Sequence, residues 1–168
     1  MIILRLFVLC LLTTPVFARC PCENNKKIAN QESKDCFDGK KLLRTEEEWK
    51  NLLTPEEYKA MREYGSEDPF KNEYYNTFEK GIYECVACNL PLFSSADKYD
   101  SGTGWPTFSK PICAQNVTFN DKSTKYSKRI SVECARCDGH IGHLFDDSSS
   151  PTGKRYCMNS VALEFVPE

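Results

Sequence analysis

Two Cys-x-x-Cys pairs constrain this chain more than any other feature of its sequence. Cys85 and Cys88 form the first pair, and Cys134 and Cys137 form the second. Each pair follows a run of strand-forming residues and leads into turn residues, so a tight turn would aim both sulfurs at one point. Two such turns complete a tetrahedral four-cysteine zinc site, which is the arrangement that we predict. The alternative is a pair of disulfides that cross-link the two turns.

The N-terminus indicates the compartment of the chain and bears on the fate of its ten cysteines. Residues 1–18 follow the pattern of a cleaved signal peptide, with Arg5 before an apolar run and Ala18 at the cleavage site. The alternative, an uncleaved anchor, would need a longer apolar run. We therefore expect a protein of the secretory pathway, either secreted or in the lumen of the endoplasmic reticulum, where disulfides form. Cleavage removes Cys10 and leaves an odd number of cysteines, so at least one thiol is unpaired within the chain.

The composition excludes several classes of protein. The net charge is −2, from 22 basic and 24 acidic residues, which gives no electrostatic reason to expect nucleic acid as a partner. With 40% hydrophobic and 27% charged residues, the chain is neither a polytopic membrane protein nor a disordered one. We expect a monomer without a membrane partner.

Short helices are predicted to precede a β-rich domain. Residues 19–44 are polar and lack apolar periodicity, which predicts a flexible arm that carries cysteines; residues 45–168 form the domain. Thr45 and Thr54 each begin a helix-capping pattern, and the second helix should stop at Gly65. The remainder alternates short β-type runs with turn residues, which predicts a mainly β fold of antiparallel strands. The predicted strands are 81–85, 117–119, 129–134, 156–159 and 162–166.

Residues that could carry chemistry follow the second cysteine pair. The only two histidines, His140 and His143, are three residues apart and could bind metal or transfer protons near neutral pH. Cys157 lies in a β-type run close to Arg155, and a nearby cation raises the thiolate fraction of a cysteine. The alternatives are a second zinc site or a surface pair for the histidines, and a buried core residue for the cysteine.

A loop between two glycines presents an aromatic side chain. Gly102 and Gly104 flank Thr103, and Trp105 and Pro106 follow directly, so the indole would be held on a rigid loop. The alternative is a core tryptophan beneath a loop. A thiol, two imidazoles and an exposed ring suggest an enzyme, and a thiol hydrolase is one class that fits. A secreted interaction module, held together by zinc and disulfides and without catalysis, is the other alternative.

Taken together, these motifs resemble the methionine sulfoxide reductases of the B type. Their order is Cys-x-x-Cys, Gly-x-Gly-Trp-Pro-x-Phe, Cys-x-x-Cys, His-x-x-His-x-Phe-Asp-Asp and Arg-Tyr-Cys-x-Asn-Ser. The resemblance runs from Thr54 to the C-terminus, about two thirds of the chain. It implies two antiparallel sheets arranged like a tent, with short N-terminal helices and a structural zinc ion on the four paired cysteines.

The resemblance implies a nucleophile and a substrate. Cys157 would attack the sulfur of the R-epimer of methionine sulfoxide, free or in oxidised proteins, and become a sulfenic acid. Trp105 and Phe145 would bind the substrate, with an aromatic face against its methyl group. A thioredoxin-like protein or another thiol would be the reductant.

The resemblance also implies roles for the polar residues around the nucleophile. His143, His140 and Asn159 would supply the proton that the sulfoxide oxygen takes up, directly or through water. Asp147 and Arg155 would pair with each other and help to hold the environment of the thiolate.

The chain departs from the pattern of many family members at Thr103, where they carry the resolving cysteine. The usual internal disulfide therefore cannot form. The candidates for a substitute are Cys20 and Cys22 on the arm, and Cys113. An extended arm has ample reach, at about 3.3 Å per residue, so we favour Cys20 or Cys22.

Overall fold

The computed structural model describes residues 35–124 and 129–168, which form two short helices followed by eight β-strands. The helices are α1 (Glu46–Leu52) and α2 (Pro55–Arg62). The strands are β1 (Gly81–Cys85), β2 (Pro91–Ser94), β3 (Thr107–Phe108), β4 (Val117–Asp121), β5 (Ile130–Cys134), β6 (His140–Asp146), β7 (Lys154–Met158) and β8 (Leu163–Pro167). All pairs are antiparallel, in sheets of order β2-β1-β8 and β3-β7-β6-β5-β4. The predicted mainly β fold, with two antiparallel sheets and short N-terminal helices, is confirmed.

Both helices begin with a capping box. The hydroxyl of Thr45 accepts a hydrogen bond from the backbone N–H of Glu48 at 3.2 Å, and the Glu48 carboxylate accepts one from the Thr45 N–H at 2.7 Å. Thr54 and Glu57 form the same two bonds at the start of α2, at 3.3 and 2.8 Å. These bonds satisfy donors that a helix leaves unpaired, so the predicted helix starts are confirmed.

Helix α2 ends at Arg62, earlier than the predicted stop at Gly65. Tyr64 adopts a left-handed backbone with φ of 58°, and the N–H of Gly65 then donates to the carbonyl of Lys59 at 2.9 Å. The glycine therefore lies just beyond the turn that ends the helix. Neither helix of the described residues combines the length and the apolar character that a membrane crossing needs.

The strand prediction was correct for five strands and missed β2, β3 and β6. The predicted runs overlap β1, β4, β5, β7 and β8, although β4 extends to Asp121 and β7 begins at Lys154. β3 has two residues, too few to show a pattern, and β6 contains a glycine, which strands usually exclude. Both strands flank the candidate nucleophile.

Aromatic side chains fill the space between the two sheets. Phe93 on β2 stacks on Phe108 of β3 with ring centroids 4.5 Å apart, and Tyr83 on β1 meets Phe108 edge to face at 5.0 Å. Tyr156 on β7 lies 5.8 Å from Phe93. Such pairs stabilise beyond the area that they bury, by about 0.5–1.5 kcal/mol each. This cluster fixes the five-stranded sheet, and with it the site, against the smaller sheet.

The described end of the arm, residues 35–44, is attached to the domain. A disulfide joins Cys36 to Cys113. The fully buried amide of Asn116 donates to the carbonyls of Asp35 and Pro91, at 2.8 and 2.6 Å, and accepts from the N–H of Phe37 at 2.8 Å. Asn116 begins an Asn-x-Thr glycosylation sequon, and both hydrogens of its side-chain nitrogen are used in this packing.

Candidate active site

The two Cys-x-x-Cys turns share one backbone geometry. In the first turn the N–H of Asn89 donates to the carbonyl of Cys85 at 2.8 Å, and in the second the N–H of Asp138 donates to the carbonyl of Cys134 at 2.9 Å. Asn89 and Asp138 have left-handed φ angles of 55° and 57°, which short polar residues tolerate. The repeat in the sequence is therefore a repeat in the structure, placed at the ends of β1 and β5.

The four sulfurs of these turns converge on one point. They lie within 4.8 Å of one another, with Cys85 and Cys137 at 3.6 Å and Cys88 and Cys134 at 3.5 Å. A disulfide needs about 2.05 Å, whereas ligands about 2.3 Å from a tetrahedral zinc ion stand about 3.8 Å apart. Hydrogen bonds from the neighbouring thiols, Cys137 first, lower the pKa of Cys134, which favours the thiolate that a metal binds. The cysteines form a metal-type site and not two disulfides.

The register of the larger sheet places Cys157 between two predicted features. Cys157 on β7 pairs with Thr107 on β3 and with His143 on β6. Residues directly opposite in a sheet present their side chains on the same face. The thiol of Cys157, which is free and partly exposed, therefore lies between the strand that follows the tryptophan loop and the histidine strand.

A bulge in β6 places both imidazoles on one side of the sheet. In a regular strand His140 and His143 would point to opposite faces, because they are three residues apart. The pairing of β5 with β6 skips Ile141, which resets the alternation, and the two rings lie with centroids 4.9 Å apart. Gly142 follows the bulge, and a Cβ there would collide with the backbone carbonyl of Cys157.

Burial keeps both imidazoles neutral. His140 is fully buried, its Nδ1 lies 2.7 Å from the hydroxyl of Ser131, and its Nε2 has no hydrogen-bond partner among the described residues. Burial, followed by the charge of His143, lowers the pKa of His140 to about 4. Burial and the charge of Arg129 also lower the pKa of His143. Each ring can therefore donate one proton near pH 7 and accept at its other nitrogen.

The tryptophan loop is held by the segment after α2. The carbonyl of Gly104 accepts hydrogen bonds from the N–H of Phe70 at 2.8 Å and from the side-chain amide of Asn72 at 2.6 Å. Gly104 has a φ of 85°, and a Cβ there would lie 2.7 Å from Phe70, so only glycine fits. Trp105 lines the pocket at Cys157, and its buried indole N–H has no partner within the described residues.

Hydroxyl groups surround the sulfur of Cys157. The Oγ1 atoms of Thr103 and Thr107 lie 3.4 and 3.6 Å from it, and within the described ranges they are its hydrogen-bond partners. Ser101 Oγ lies 2.8 Å from both threonine oxygens. Thr103 is the position at which the resemblance would have placed a resolving cysteine.

Asn159 is buried at the pocket wall and its side chain is already engaged. Its Nδ2 donates to the carbonyl of Gly65 at 3.3 Å. Its Oδ1 accepts from the hydroxyl of Ser66 and the N–H of Glu67, both at 3.4 Å. Asn159 therefore ties the segment after α2 to the end of β7, in addition to facing the pocket.

The expected pair of Arg155 and Asp147 is present. The Nε of Arg155 lies 3.5 Å from the Asp147 carboxylate, and its guanidinium stacks over the ring of Phe145 at 4.9 Å. Hydrogen bonds from Ser149, first among several, lower the pKa of Asp147 and keep the carboxylate ionised. Arg155 and Phe145 form one wall of the pocket, and Asp147 holds that wall.

The pocket at Cys157 has a volume of about 260 Å³ and contains most of the predicted site. Its lining comprises Tyr64, Ser66, Thr103, Trp105, Arg129, Gly142, His143, Phe145, Arg155, Cys157 and Asn159. His140 stands behind His143 and is not among them. Tyr64, Ser66 and Arg129 were missed from the sequence, because none of them belongs to a motif.

The predicted resolving cysteines do not meet Cys157 in the described residues. Cys113 shares a disulfide with Cys36 and so carries no free thiol, which removes the support for that candidate. Cys20 and Cys22 lie outside the described residues, as do the predicted signal peptide and most of the predicted arm.

Comparison with known proteins identifies the family of the chain. The chain matches the SelR domain over residues 53–167. It is 48% identical over 128 residues to the peptide methionine sulfoxide reductase MsrB of Methanosarcina mazei, covering 76% of this chain and 91% of that protein. It is 46% identical over 125 residues to the MsrB of Hahella chejuensis, covering 74% and 90%. It is 50% identical over 120 residues to the chloroplastic peptide methionine sulfoxide reductase B1 of Arabidopsis thaliana, covering 71% and 59%. The chain therefore belongs to the methionine sulfoxide reductase B family.

Proposed function

We propose that this protein reduces methionine-R-sulfoxide to methionine, free or in proteins, with Cys157 as the nucleophile. The observation that carries the proposal is the position of the free thiol of Cys157, in a pocket lined by Trp105 and His143. The apolar ring suits the methyl group of the substrate, and the imidazole suits its polar oxygen. An interaction module without catalysis would have no need of this arrangement.

The net reaction moves one oxygen atom from the substrate to the protein. The thiolate of Cys157 attacks the sulfoxide sulfur and forms a sulfur–sulfur bond as the oxygen takes up a proton. The resulting hydroxyl group then passes to the cysteine sulfur, and both the sulfur–oxygen bond and the sulfur–sulfur bond of the substrate sulfur break. The substrate sulfur gains two electrons and leaves as methionine, while the cysteine sulfur loses two and becomes a sulfenic acid. One thiol then forms a disulfide with Cys157 and releases water, and a second thiol reduces that disulfide.

The neutral imidazole of His143 is the proton donor that best fits the geometry. It lines the pocket and lies directly across the sheet from Cys157. His140 contacts it from behind, ring to ring, and acts through it. Trp105 and Phe145 position the substrate, and Arg155, held by Asp147, closes the wall beside Phe145.

Incubation with racemic methionine sulfoxide and dithiothreitol tests the activity. Chiral chromatography should show that only the R-epimer is consumed, and that C157S consumes neither. Consumption of both epimers at one rate, or full activity in C157S, would contradict the proposal.

The cluster of four cysteines is proposed to bind a structural zinc ion. Cys85, Cys88, Cys134 and Cys137 would hold it, and the bound ion would cross-link the turns after β1 and β5 without taking part in the reduction. Metal analysis of the purified protein should find one zinc ion per chain. Protein that lacks zinc while these thiols are blocked against alkylation would contradict this assignment.

The N-terminal residues support a proposal about compartment and regeneration. Residues 1–18 would direct the chain into the secretory pathway and be removed, so that the mature monomer begins at residue 19. Residues 19–44 would form the arm, and Cys20 or Cys22 would resolve the sulfenic acid of Cys157 before a thioredoxin-like protein or another thiol reduces the product.

Sequencing and peptide mapping test these two points. N-terminal sequencing of secreted protein should begin at Arg19. After one turnover without reductant, mass spectrometry should find Cys157 linked to Cys20 or Cys22. An internal disulfide at Cys157 that persists in the C20S/C22S double variant would rule the arm out.

A further inference from the structure

We propose that Thr103 is a catalytic residue whose hydroxyl donates a hydrogen bond to the thiolate of Cys157, held in position by Ser101 and Thr107. The inference deepens the proposed reductase function and rests on it. Thr103 and Thr107 are the hydrogen-bond partners of the Cys157 sulfur in the described part of the chain, at 3.4 and 3.6 Å.

The direction of the hydrogen bonds among these hydroxyls follows from the carbonyl of Trp105, which can only accept. The carbonyl of Trp105 lies 3.0 Å from Thr107 Oγ1, so Thr107 donates its single hydroxyl hydrogen there. Ser101 must then donate to Thr107 at 2.8 Å, and Thr103 must donate to Ser101 at 2.8 Å. The protonated thiol completes the sequence by donating to Thr103. The hydrogen bonds run from Cys157 to Thr103, Ser101 and Thr107 in turn, and the carbonyl of Trp105 accepts the last of them.

When the thiol of Cys157 loses its proton, the hydroxyl of Thr103 must change its hydrogen-bond acceptor. The thiolate can only accept, and the hydrogen of Thr107 stays on the carbonyl of Trp105. The hydroxyl of Thr103 can rotate from Ser101 to the sulfur while the bonds from Ser101 to Thr107 and onward remain intact. Hydrogen bonds to charged groups are stronger than those between neutral groups, so this exchange favours the thiolate.

The cation expected near the sulfur is engaged elsewhere. Arg155 pairs with Asp147 and stacks over Phe145, and within the described residues it makes no hydrogen bond to Cys157. The group that contacts the reacting atom is therefore a hydroxyl on the tryptophan loop.

Alkylation of Cys157 tests the hydrogen bond without using the reductase reaction. The rate of reaction with iodoacetamide is measured between pH 5 and pH 9 by mass spectrometry of the peptide that contains Cys157, in T103V, T103S and wild type. Valine is close in shape to threonine but has no hydroxyl, so T103V should slow the alkylation of Cys157 at neutral pH by about tenfold. T103S should stay within about twofold of wild type, since it keeps the donor. T118V, which removes an exposed hydroxyl on β4, is the matched control, with all proteins made in a host without N-glycosylation because Thr118 completes the sequon at Asn116.

Steady-state kinetics with methionine-R-sulfoxide complete the test. T103V should lower kcat by about tenfold with little change in KM, because the hydroxyl contacts the nucleophile. The proposal is overturned if T103V alkylates like wild type, or if T103S is as slow as T103V. If wild type reduces neither epimer, the proposed function fails, and the alkylation profiles still decide whether Thr103 supports the thiolate.

Discussion

Four cysteine sulfurs converge at the turns after β1 and β5, whereas the sulfur of Cys157 lies apart from them on β7, an inner strand of the larger sheet. The clustered sulfurs are mostly buried and have one another as neighbours. Cys157 is partly exposed. Its sulfur contacts the hydroxyls of two threonines and lines a pocket that also contains His143. The side chain is the same in both places. Whether a cysteine binds metal or attacks a substrate depends on how many other thiols lie beside it and on whether a small molecule can reach it.

Removal of one cluster cysteine should have the largest effect on the fold. A structural zinc ion contributes about 10–16 kcal/mol of apparent binding free energy in small zinc-binding peptides, and folding depends on it. We expect C134S to lose stoichiometric zinc and to lower the free energy of unfolding by at least about 5 kcal/mol. Urea unfolding and metal analysis measure both. Wild-type stability in C134S would mean that the cluster is not structural.

The same chemical change at Cys157 should leave the fold intact and abolish activity. We expect C157S to unfold within about 1 kcal/mol of wild type, because the side chain is partly exposed. Its rate of methionine-R-sulfoxide reduction should fall by at least about a thousandfold, since Cys157 is the one thiol among the described residues that line the pocket. The stability of C134S and C157S should be measured side by side. A C157S protein as unstable as C134S would contradict the distinction between structural and reactive cysteines.

Acid should destabilise the Cys157 side of the sheet through His140. The pKa of His140 is about 4 in the folded protein and about 6.5 when unfolded, so the unfolded state takes up the proton first as pH falls. Stability due to the neutral ring is complete above pH 6.5 and declines towards pH 4, by an amount on the order of 3 kcal/mol. Urea unfolding of wild type and H140N across this range measures it. Protonation of the cluster thiolates is common to both proteins, so equal pH slopes would count against the buried imidazole.

Loss of the Ser131 hydroxyl should have the smallest effect. The hydrogen bond between the Ser131 hydroxyl and Nδ1 of His140 helps to fix which ring nitrogen carries the proton, and loss of the hydroxyl frees the other tautomer. We expect S131A to lower kcat about three- to tenfold with KM nearly unchanged, and S131T to restore it. The ¹⁵N chemical shifts of the imidazole report the tautomer directly. A lowered kcat with unchanged shifts would assign Ser131 a role in packing alone.

Local features were predictable from the sequence and long-range ones were not. The capping boxes and the cysteine turns depend on residues within four positions of each other, and both are present as predicted. Strand β6 was not predicted because it contains Gly142 and two histidines, which do not follow the usual pattern of a strand. Its bulge depends on pairing with β5, which no local pattern records.

The partners of Cys157 illustrate the same limit. Thr103 was recognised from the sequence as a departure from the family pattern, but its contact with the sulfur depends on the pairing of β3 with β7. Tyr64 reaches the pocket only because the chain turns through a left-handed residue after α2, and its ring then lies 5.1 Å from His140. Neither contact follows from the order of motifs along the chain.

The buried amide of Asn116 makes folding and glycosylation mutually exclusive outcomes for one chain. An N-linked sugar replaces one of the two amide hydrogens, and both are bonded to backbone carbonyls of residues 35 and 91. In a chain glycosylated during synthesis, residues 35–37 could not pack against Asn116. That packing places Cys36 beside Cys113, its disulfide partner. In any compartment that holds the glycosylating enzyme, the outcome for each molecule is decided by timing. In such a compartment, the yield of native protein would depend on how soon residue 116 is covered after it emerges.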